Sequence, residues 1–529
     1  MRRPHIDLQR NQLFKQRLHS VHIPFGLFCS LMMYSVVFFG IWAILLPFID
    51  VWEKPSRHFA PANITEIDYS AMIDPVISDP DFPQNNIQIR LPGHDPALSI
   101  SHQFTEAILF NPTTRKRIEG EGKRSGLAWF LNRMHYGGPL QQFGRIAYGL
   151  LAVAVLFLIV GGLIQVALLK YSQQDHTPLT LFSRWHRRIF VWVFPVFIVV
   201  TLSGAMFNIG FLSAGPMTQI VSKGRDSNLN AAIGPVLFPP PERVERSNRP
   251  AKMLPINQLI RKAQDVDPDI QFQSIRLVHW KDSNARIELK GYNPYRPFLN
   301  GILNKPSVTL RGEDGSLVKH TGVMDRSWSV YVIEATLFLH LLFGVDIFTR
   351  CFILVLMVGA ILAIACGVML WLEKKAKPYY KGKVPFYHWM SKLSLAVMIG
   401  VLPATALTFN LQWLIPIEWD DRMAYIKAGF FNLWLATLTW SFYRIRSHRA
   451  ARELLVLGGI LFLTAPLIHF WNSGFWPPDL MRSGMITILS VDVGLALLGA
   501  VLLFAAVKLP DSTEALRRLL RKNRKKEVF

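Results

Sequence analysis

The sequence predicts an all-α polytopic membrane protein of about eight transmembrane helices, with two small α+β units outside the bilayer, and three observations predict it. The 529 residues are 51% hydrophobic but only 18% charged, where a soluble domain carries about 25%. Eight apolar runs begin near Pro24, Gly144, Ile189, Phe352, Leu393, Ala428, Leu454 and Met485, with lengths near the ~20 residues that a span needs. Two hydrophilic stretches, 51–135 and 209–335, interrupt them.

The spans are expected at 24–48, 144–169, 186–208, within 337–372, and at 388–410, 428–443, 454–471 and 485–507. The first run is too long for the apolar region of a signal peptide and no A-x-A site follows it, so it reads as a retained anchor. The chain carries 58 Lys and Arg against 36 Asp and Glu. These basic residues lie in short clusters between apolar runs rather than on one soluble module, which argues against a nucleic-acid partner. Of the 58, 27 fall in segments 1–23, 170–188, 373–392, 444–453 and 508–529. The positive-inside rule then places both termini in the cytoplasm and the two long stretches outside. Cys29, Cys351 and Cys366 lie in or beside apolar runs, offering neither a disulfide framework nor a C-x-x-C metal site.

In the second outer stretch, Ile256, Leu259, Ile260, Ala263 and Val266 form a helical face that stops at Pro268. Ile287 with Leu289, and Val308 with Leu310, alternate like strands around the turn Gly312 to Gly315. The first stretch alternates at Ile87, Ile89 and Leu91, followed by a run from Ala107 to Phe110 and the turn Asn111-Pro112-Thr113. Pro235 to Pro255 reads as a semi-rigid linker.

The most informative pattern is a duplication. Gly40 follows His22 by 18 residues, as Gly204 follows His186. Arg145 and Gly162 follow His135 by 10 and 27, as Arg350 and Gly367 follow His340. By topology His22 and His186 stand at the cytoplasmic boundary, and His135 and His340 at the outer one. Axial haem ligation needs two imidazole nitrogens from facing elements and apolar packing around the ring, which four helices with paired histidines at two depths supply. Interfacial histidines copied by the duplication are the bland alternative. His19 shares a helix face with His22 and competes with it, though it breaks the shared offset. A straight helix would lift His340 about 15 Å above Arg350. Breaks at Gly344 in one copy, and at Gly137, Gly138 and Pro139 in the other, are therefore expected. Arg145 and Arg350 are candidates to neutralise haem propionates or to snorkel to the interface.

These residues resemble the PepSY-associated transmembrane helix family of bacterial inner-membrane proteins, which includes ferric-siderophore reductases. The strings that carry the likeness are Val21-His22-Ile-Pro-Phe-Gly26-Leu27, Trp185-His186-Arg187, Met134-His135 with Gly144-Arg145, and Leu339-His340-Leu-Leu-Phe-Gly344. The outer stretches look like PepSY modules in the periplasm, most clearly from Leu254 to Tyr292. The resemblance covers about residues 15–375 and implies a duplicated four-helix core with two b-type haems. His22 and His186 would hold the inner haem, and His135 and His340 the outer one. The implied activity is reduction of a ferric siderophore on the outer side, as an oxidoreductase. The chain departs from the family at Arg187-Arg188, without the expected glycine four residues on, and in its last four spans. His388 and His469, in those spans, receive no role.

No G-x-G-x-x-G or P-loop is present and the inner loops are short, so a separate electron donor is expected, either a quinol or a cytoplasmic reductase. Trp280, Trp328 and Tyr331 are candidate contacts for the ferric complex, or belong to a core or interfacial belt. Two rival readings are a metal or proton-coupled transporter and a non-catalytic membrane protein whose PepSY-like units bind a periplasmic partner.

Overall fold

The computed structural model describes residues 4–529 except 103–105, 169–176, 226–243, 303–304, 327, 343–344, 381–385, 513 and 520–529. Gly344 and the first part of the expected Pro-rich linker thus lie outside the described residues. The membrane part begins with α1 (Pro4–Ile44) and the short α2 (Leu46–Trp52). After a hydrophilic stretch containing α3 (Tyr69–Ser78) come α4 (Leu127–His135), α5 (Gln141–Leu168), α6 (Pro178–Ala205) and α7 (Phe211–Val221). The second hydrophilic stretch contains α8 (Ile256–Val266) and leads to α9 (Trp328–Leu341) and α10 (Ile347–Tyr380). The remainder is α11 (Phe386–Met398), α12 (Val401–Leu414), α13 (Arg422–Tyr443), α14 (Ser447–Ser473), α15 (Pro477–Arg482) and α16 (Ile486–Lys508).

Among the described residues, seven helical segments are long and apolar enough to cross a membrane, with α11 and α12 together making one of them. The chain is therefore a polytopic membrane protein. The span expected at 428–443 lies in α13, which is less apolar than the seven. Its ends nevertheless reach opposite sides of the bundle. Arg422 Nη1 donates to Arg124 O (2.8 Å) beside α4, while Arg444 O, just past the other end, accepts from Lys392 Nζ (2.5 Å) on α11.

α1 holds the two halves of the bundle together because it carries two buried stripes at helical spacing. Cys29, Met33 and Val37 pack with Val155 of α5, Val193 and Phe197 of α6, and Ile353 and Met357 of α10. Tyr34, Phe38 and Trp42 pack instead with Phe409 of α12, Phe430 of α13 and Phe462 of α14. Tyr34 Oη also donates to Met398 O at 2.9 Å.

The two hydrophilic stretches build one sheet rather than two separate units. β1 (Ile87–Arg90), β2 (Leu98–Ser101), β3 (Ile108–Phe110) and β4 (Arg117–Ile118) come from the first. β5 (Gln271–Val278), β6 (Arg286–Tyr292), β7 (Ser307–Arg311) and β8 (Leu317–Thr321) come from the second. The order is β4-β3-β2-β1-β5-β6-β7-β8, and every pair is antiparallel. Each four-stranded meander would leave its first strand as an unpaired edge. Pairing β1 with β5, with Ile87 opposite Leu277 and Ile89 opposite Ile275, removes both edges. Helices α3 and α8 cover the same face, with Met72 and Ile73 joining Leu259 and Ala263 over Ile89, Ile275 and Leu289. The sequence reading treated the stretches as independent because alternation reports which face of a strand is buried, not which strand lies beside it.

Candidate functional site

His135 is the last residue of α4, and α5 starts six residues later. The break between them is built by Gly137, whose φ of +74° suits glycine. A side chain on Gly144 would stand 2.1 Å from Gly137 O, so the turn closes only because both positions lack one. His340 likewise lies on α9, apart from α10. The structure thus supplies the breaks that folding each histidine back onto the bundle requires.

Two cavities lie between the helices. The one nearer the sheet, about 350 Å³, is lined by His135 and His340 together with Met33, Arg145, Phe197 and Met357. The two rings stand 6.0 Å apart between centroids. The far-side cavity, about 440 Å³, is lined by His22 and His186, with His19, Gly162, Phe190 and Gly367. The sequence pairing of histidines by depth is therefore the pairing that each cavity shows.

Nδ1 of His135 lies 2.8 Å from Val36 O, Nδ1 of His186 2.7 Å from Ala363 O, and Nδ1 of His340 3.0 Å from Val200 O. A carbonyl only accepts, so each Nδ1 carries the proton and each Nε2 keeps its lone pair, the tautomer a metal ligand needs. Ser203 Oγ adds a contact of 2.8 Å to His340 Nδ1. His22 Nδ1 is buried without a hydrogen-bond partner, whereas His19 Nδ1 meets Gln165 Oε1 at 3.1 Å.

The glycines that marked the repeat have a role that spacing alone did not show. A Cβ on Gly40 would lie 3.0 Å from the His135 ring, one on Gly367 3.0 Å from His186, one on Gly204 3.4 Å from His340, and one on Gly162 3.6 Å from His22. Each of the four imidazoles thus rests on a glycine of the neighbouring span in its own repeat. His22 has the widest of the four spacings and no carbonyl at its Nδ1. The donor set, the cleared backbone and the apolar walls fit a haem held by two imidazoles.

Arg145 lines the sheet-side cavity, with its guanidinium 5.4 Å from the Tyr136 ring centre. Arg350 takes a different place. It is buried, its Nη1 and Nη2 donate to Ile44 O and Leu342 O at 2.6 Å each, and it is not among the residues lining that cavity. Arg350 thus braces backbone carbonyls at the helix ends, while its Nε has no hydrogen-bond partner. Trp280 is buried in the sheet core, Trp328 is exposed, and Tyr331 donates to Val323 O. His388 packs against Phe442. His469 belongs to a separate cluster with His58 and Asp492, three positions with no shared repeat to signal them.

The polar face of the sheet carries several basic groups, and Glu288 among them pairs with Lys290 at 3.0 Å and Arg276 at 3.7 Å. Arg90, Ser274, Lys290 and Ser307 sit opposite one another on four successive strands. Burial, then Arg90 and Lys290, hold the Lys305 ammonium below its ordinary range.

The chain matches the model of the PepSY-associated TM region over residues 19–374. It is also 25% identical over 378 residues to an uncharacterised Pseudomonas aeruginosa protein, PA4219, covering 68% of this chain and 89% of that protein. The match spans both histidine cavities and the whole sheet and takes in more than half of the chain, which therefore belongs to the PepSY-associated transmembrane family.

Proposed function

We propose that the chain is a bacterial inner-membrane electron-transfer protein holding two b-type haems, one between His22 and His186 and one between His135 and His340. In this reading both termini are cytoplasmic, the sheet is periplasmic, and electrons from a quinol or a cytoplasmic reductase reach an acceptor on the sheet side. The haems would supply one-electron redox chemistry. The observation that carries the reading is the fourfold glycine–imidazole contact in two cavities at two depths. Val36, Ala363 and Val200 carbonyls fix the tautomer of three ligands, and apolar side chains make up most of the wall of both cavities. Arg145 is the cation for a propionate on the sheet side.

The proposed acceptor is a ferric siderophore, because reduction to Fe(II) weakens the hold of hard oxygen ligands. The row of Arg90 and Lys290, with Lys305 beside it, suits an anionic complex. A reduced-minus-oxidised spectrum of the purified protein, with haem counted per chain, tests the assignment. Two haems are expected. His22→Ala or His186→Ala should remove one, and His135→Ala or His340→Ala the other. A colourless protein expressed with ample haem, or equal loss from all four variants, would refute it.

A further inference from the structure

The helices beyond the family match hold a buried chain of titratable groups that the histidine cavities do not use. His469 of α14 is fully buried and its Nδ1 lies 3.0 Å from both carboxyl oxygens of Asp492 on α16. Trp52 Nε1 donates to Asp492 Oδ1 at 2.8 Å. On the other side of the ring, His469 Nε2 faces His58 Nε2 at 3.0 Å, and His58 Nδ1 lies 2.9 Å from Lys54 O. Trp413 packs on both imidazoles, at 4.6 Å from His469 and 5.4 Å from His58. His58 is half-buried and stands at the sheet side.

Counting hydrogens along this chain fixes its protonation. Lys54 O only accepts, so His58 Nδ1 must carry a hydrogen. The two Nε2 atoms need one hydrogen between them, and the contact from His469 Nδ1 to the carboxyl group needs another. Three labile hydrogens therefore satisfy three contacts. In the uncharged arrangement Asp492 carries its proton and donates to His469 Nδ1, His469 Nε2 donates to His58, and His58 Nδ1 donates to Lys54 O. In the charged arrangement Asp492 is a carboxylate and the imidazole pair holds the extra proton. If one proton is lost, two hydrogens remain for three contacts, so one contact must break, either the His58–His469 pair, where two lone pairs would face each other at 3.0 Å, or the one from His58 to Lys54 O.

We propose that Asp492, His469 and His58 form a proton-binding site that takes one proton from the sheet-side aqueous phase and, while loaded, ties the segment after α2 to α14. The proton moves by reciprocal shifts along the three contacts, from carboxyl oxygen to imidazole to imidazole, so charge and hydrogen count are conserved. Burial in an apolar setting favours the uncharged arrangement. In agreement, burial and then the His469 ring bring the His58 imidazole down to about 4, away from holding a charge of its own.

The surrounding elements bring no competing partner among the described residues. On α2, Asp50 and Lys54 pair with each other at 2.7 Å, and Glu53, which follows, caps α4. Arg57 pairs with Asp95, Gln412 of α12 donates to Glu53 O, and Asp479 of α15 accepts from Trp476 N. The other charged groups of α14 and α16 lie at their far ends. The site does not depend on haem.

Infrared spectroscopy of the full-length protein in detergent tests it through the C=O stretch of a protonated carboxyl group. Wild type should show a buried carboxylic band at neutral pH that Asp492→Asn removes, since Asn keeps both the acceptor for Trp52 and a donor for His469. His58→Phe should lose the same band at neutral pH although Asp492 remains, because His469 Nε2 then has no acceptor, its hydrogen moves to Nδ1 and the Asp492 proton is released to the sheet-side water. Because buried Glu53, whose carboxyl burial also raises, adds a band of its own, the comparison is made in a Glu53→Gln background. A carboxylic band that survives Asp492→Asn there, or that persists unchanged in His58→Phe, would overturn the proposal. Histidine nitrogen-15 resonances of wild type give a second readout should Asp492→Asn fail to fold. A coupled Nε2–H···Nε2 pair is expected, and two independent imidazoles would refute it.

Discussion

At the scale of single residues, the spacing between a glycine and an imidazole ranks what substitution should do. Gly40→Ala and Gly367→Ala place a methyl 3.0 Å from His135 and His186, so each ring must shift. Gly162→Ala meets His22 at 3.6 Å, an ordinary contact. Gly367→Ala should therefore lower haem occupancy of the far-side pair or shift its absorption, while Gly162→Ala leaves the spectrum unchanged. The reverse ranking would separate the glycines from the imidazoles. Glu53 carries a second prediction. It is fully buried, its Oε2 accepts from Leu127 N and Ala128 N at the start of α4, and its Oε1 has no partner. Burial, then Asp50, raise its carboxyl to about 8. Because this value lies above that of the unfolded chain, the folded state binds the extra proton between about pH 4.3 and 8. Stability should fall as pH rises through that window, by at most ~1.4 kcal/mol per pH unit, and level off above it. Glu53→Gln should flatten the slope, as thermal unfolding in detergent at pH 5 to 9 would read. The histidines and their glycines were legible in the sequence because the duplication repeats their offsets. The His58–His469–Asp492 contacts were not, since they join residues 411 and 23 positions apart with no second copy.

At the scale of elements, α4 is short and owes its position to its two ends. Glu53 satisfies backbone N–H groups at its start, and the Gly137–Gly144 contact turns the chain into α5 at its finish. Gly144→Ala leaves helix propensity intact but drives a methyl into Gly137 O. It should displace His135 and lower haem in the sheet-side cavity, with the far-side pair untouched, which the haem count per chain and the residual spectrum would show. A fully loaded Gly144→Ala protein would mean that α4 is held by other contacts. The break before α5 was readable from glycine and proline, whereas Gly344, expected to break the chain before α10, lies outside the described residues. The burial of Arg350 was not, because its partners Ile44 O and Leu342 O are backbone atoms on elements brought together only by the tertiary fold.

At the scale of the whole molecule, the family match ends near residue 374, yet the helices beyond it share a core with the matched part. Trp42 of α1 packs 5.1 Å from Phe409 and 6.0 Å from Phe462. Gln412 holds Glu53 O, Trp52 holds Asp492, and Arg422 holds Arg124 O. All of these contacts grip the chain between α1 and α4, the part that positions His135. The far-side cavity is lined from α1, α5, α6 and α10. Composition and apolar runs revealed the extra spans, but which elements they brace depends on contacts across hundreds of residues that carry no periodic signal. A chain ending after Tyr380 should therefore weaken the two sites unequally. The sheet-side haem should be lost first and the far-side haem retained. Independently of haem, trypsin should gain rapid cleavage after Arg57, which is buried in the whole protein and loses the support of α12 and α16. Equal retention of both haems with Arg57 still protected would show that the last helices are a separate module resting on the family core rather than part of the frame that holds His135.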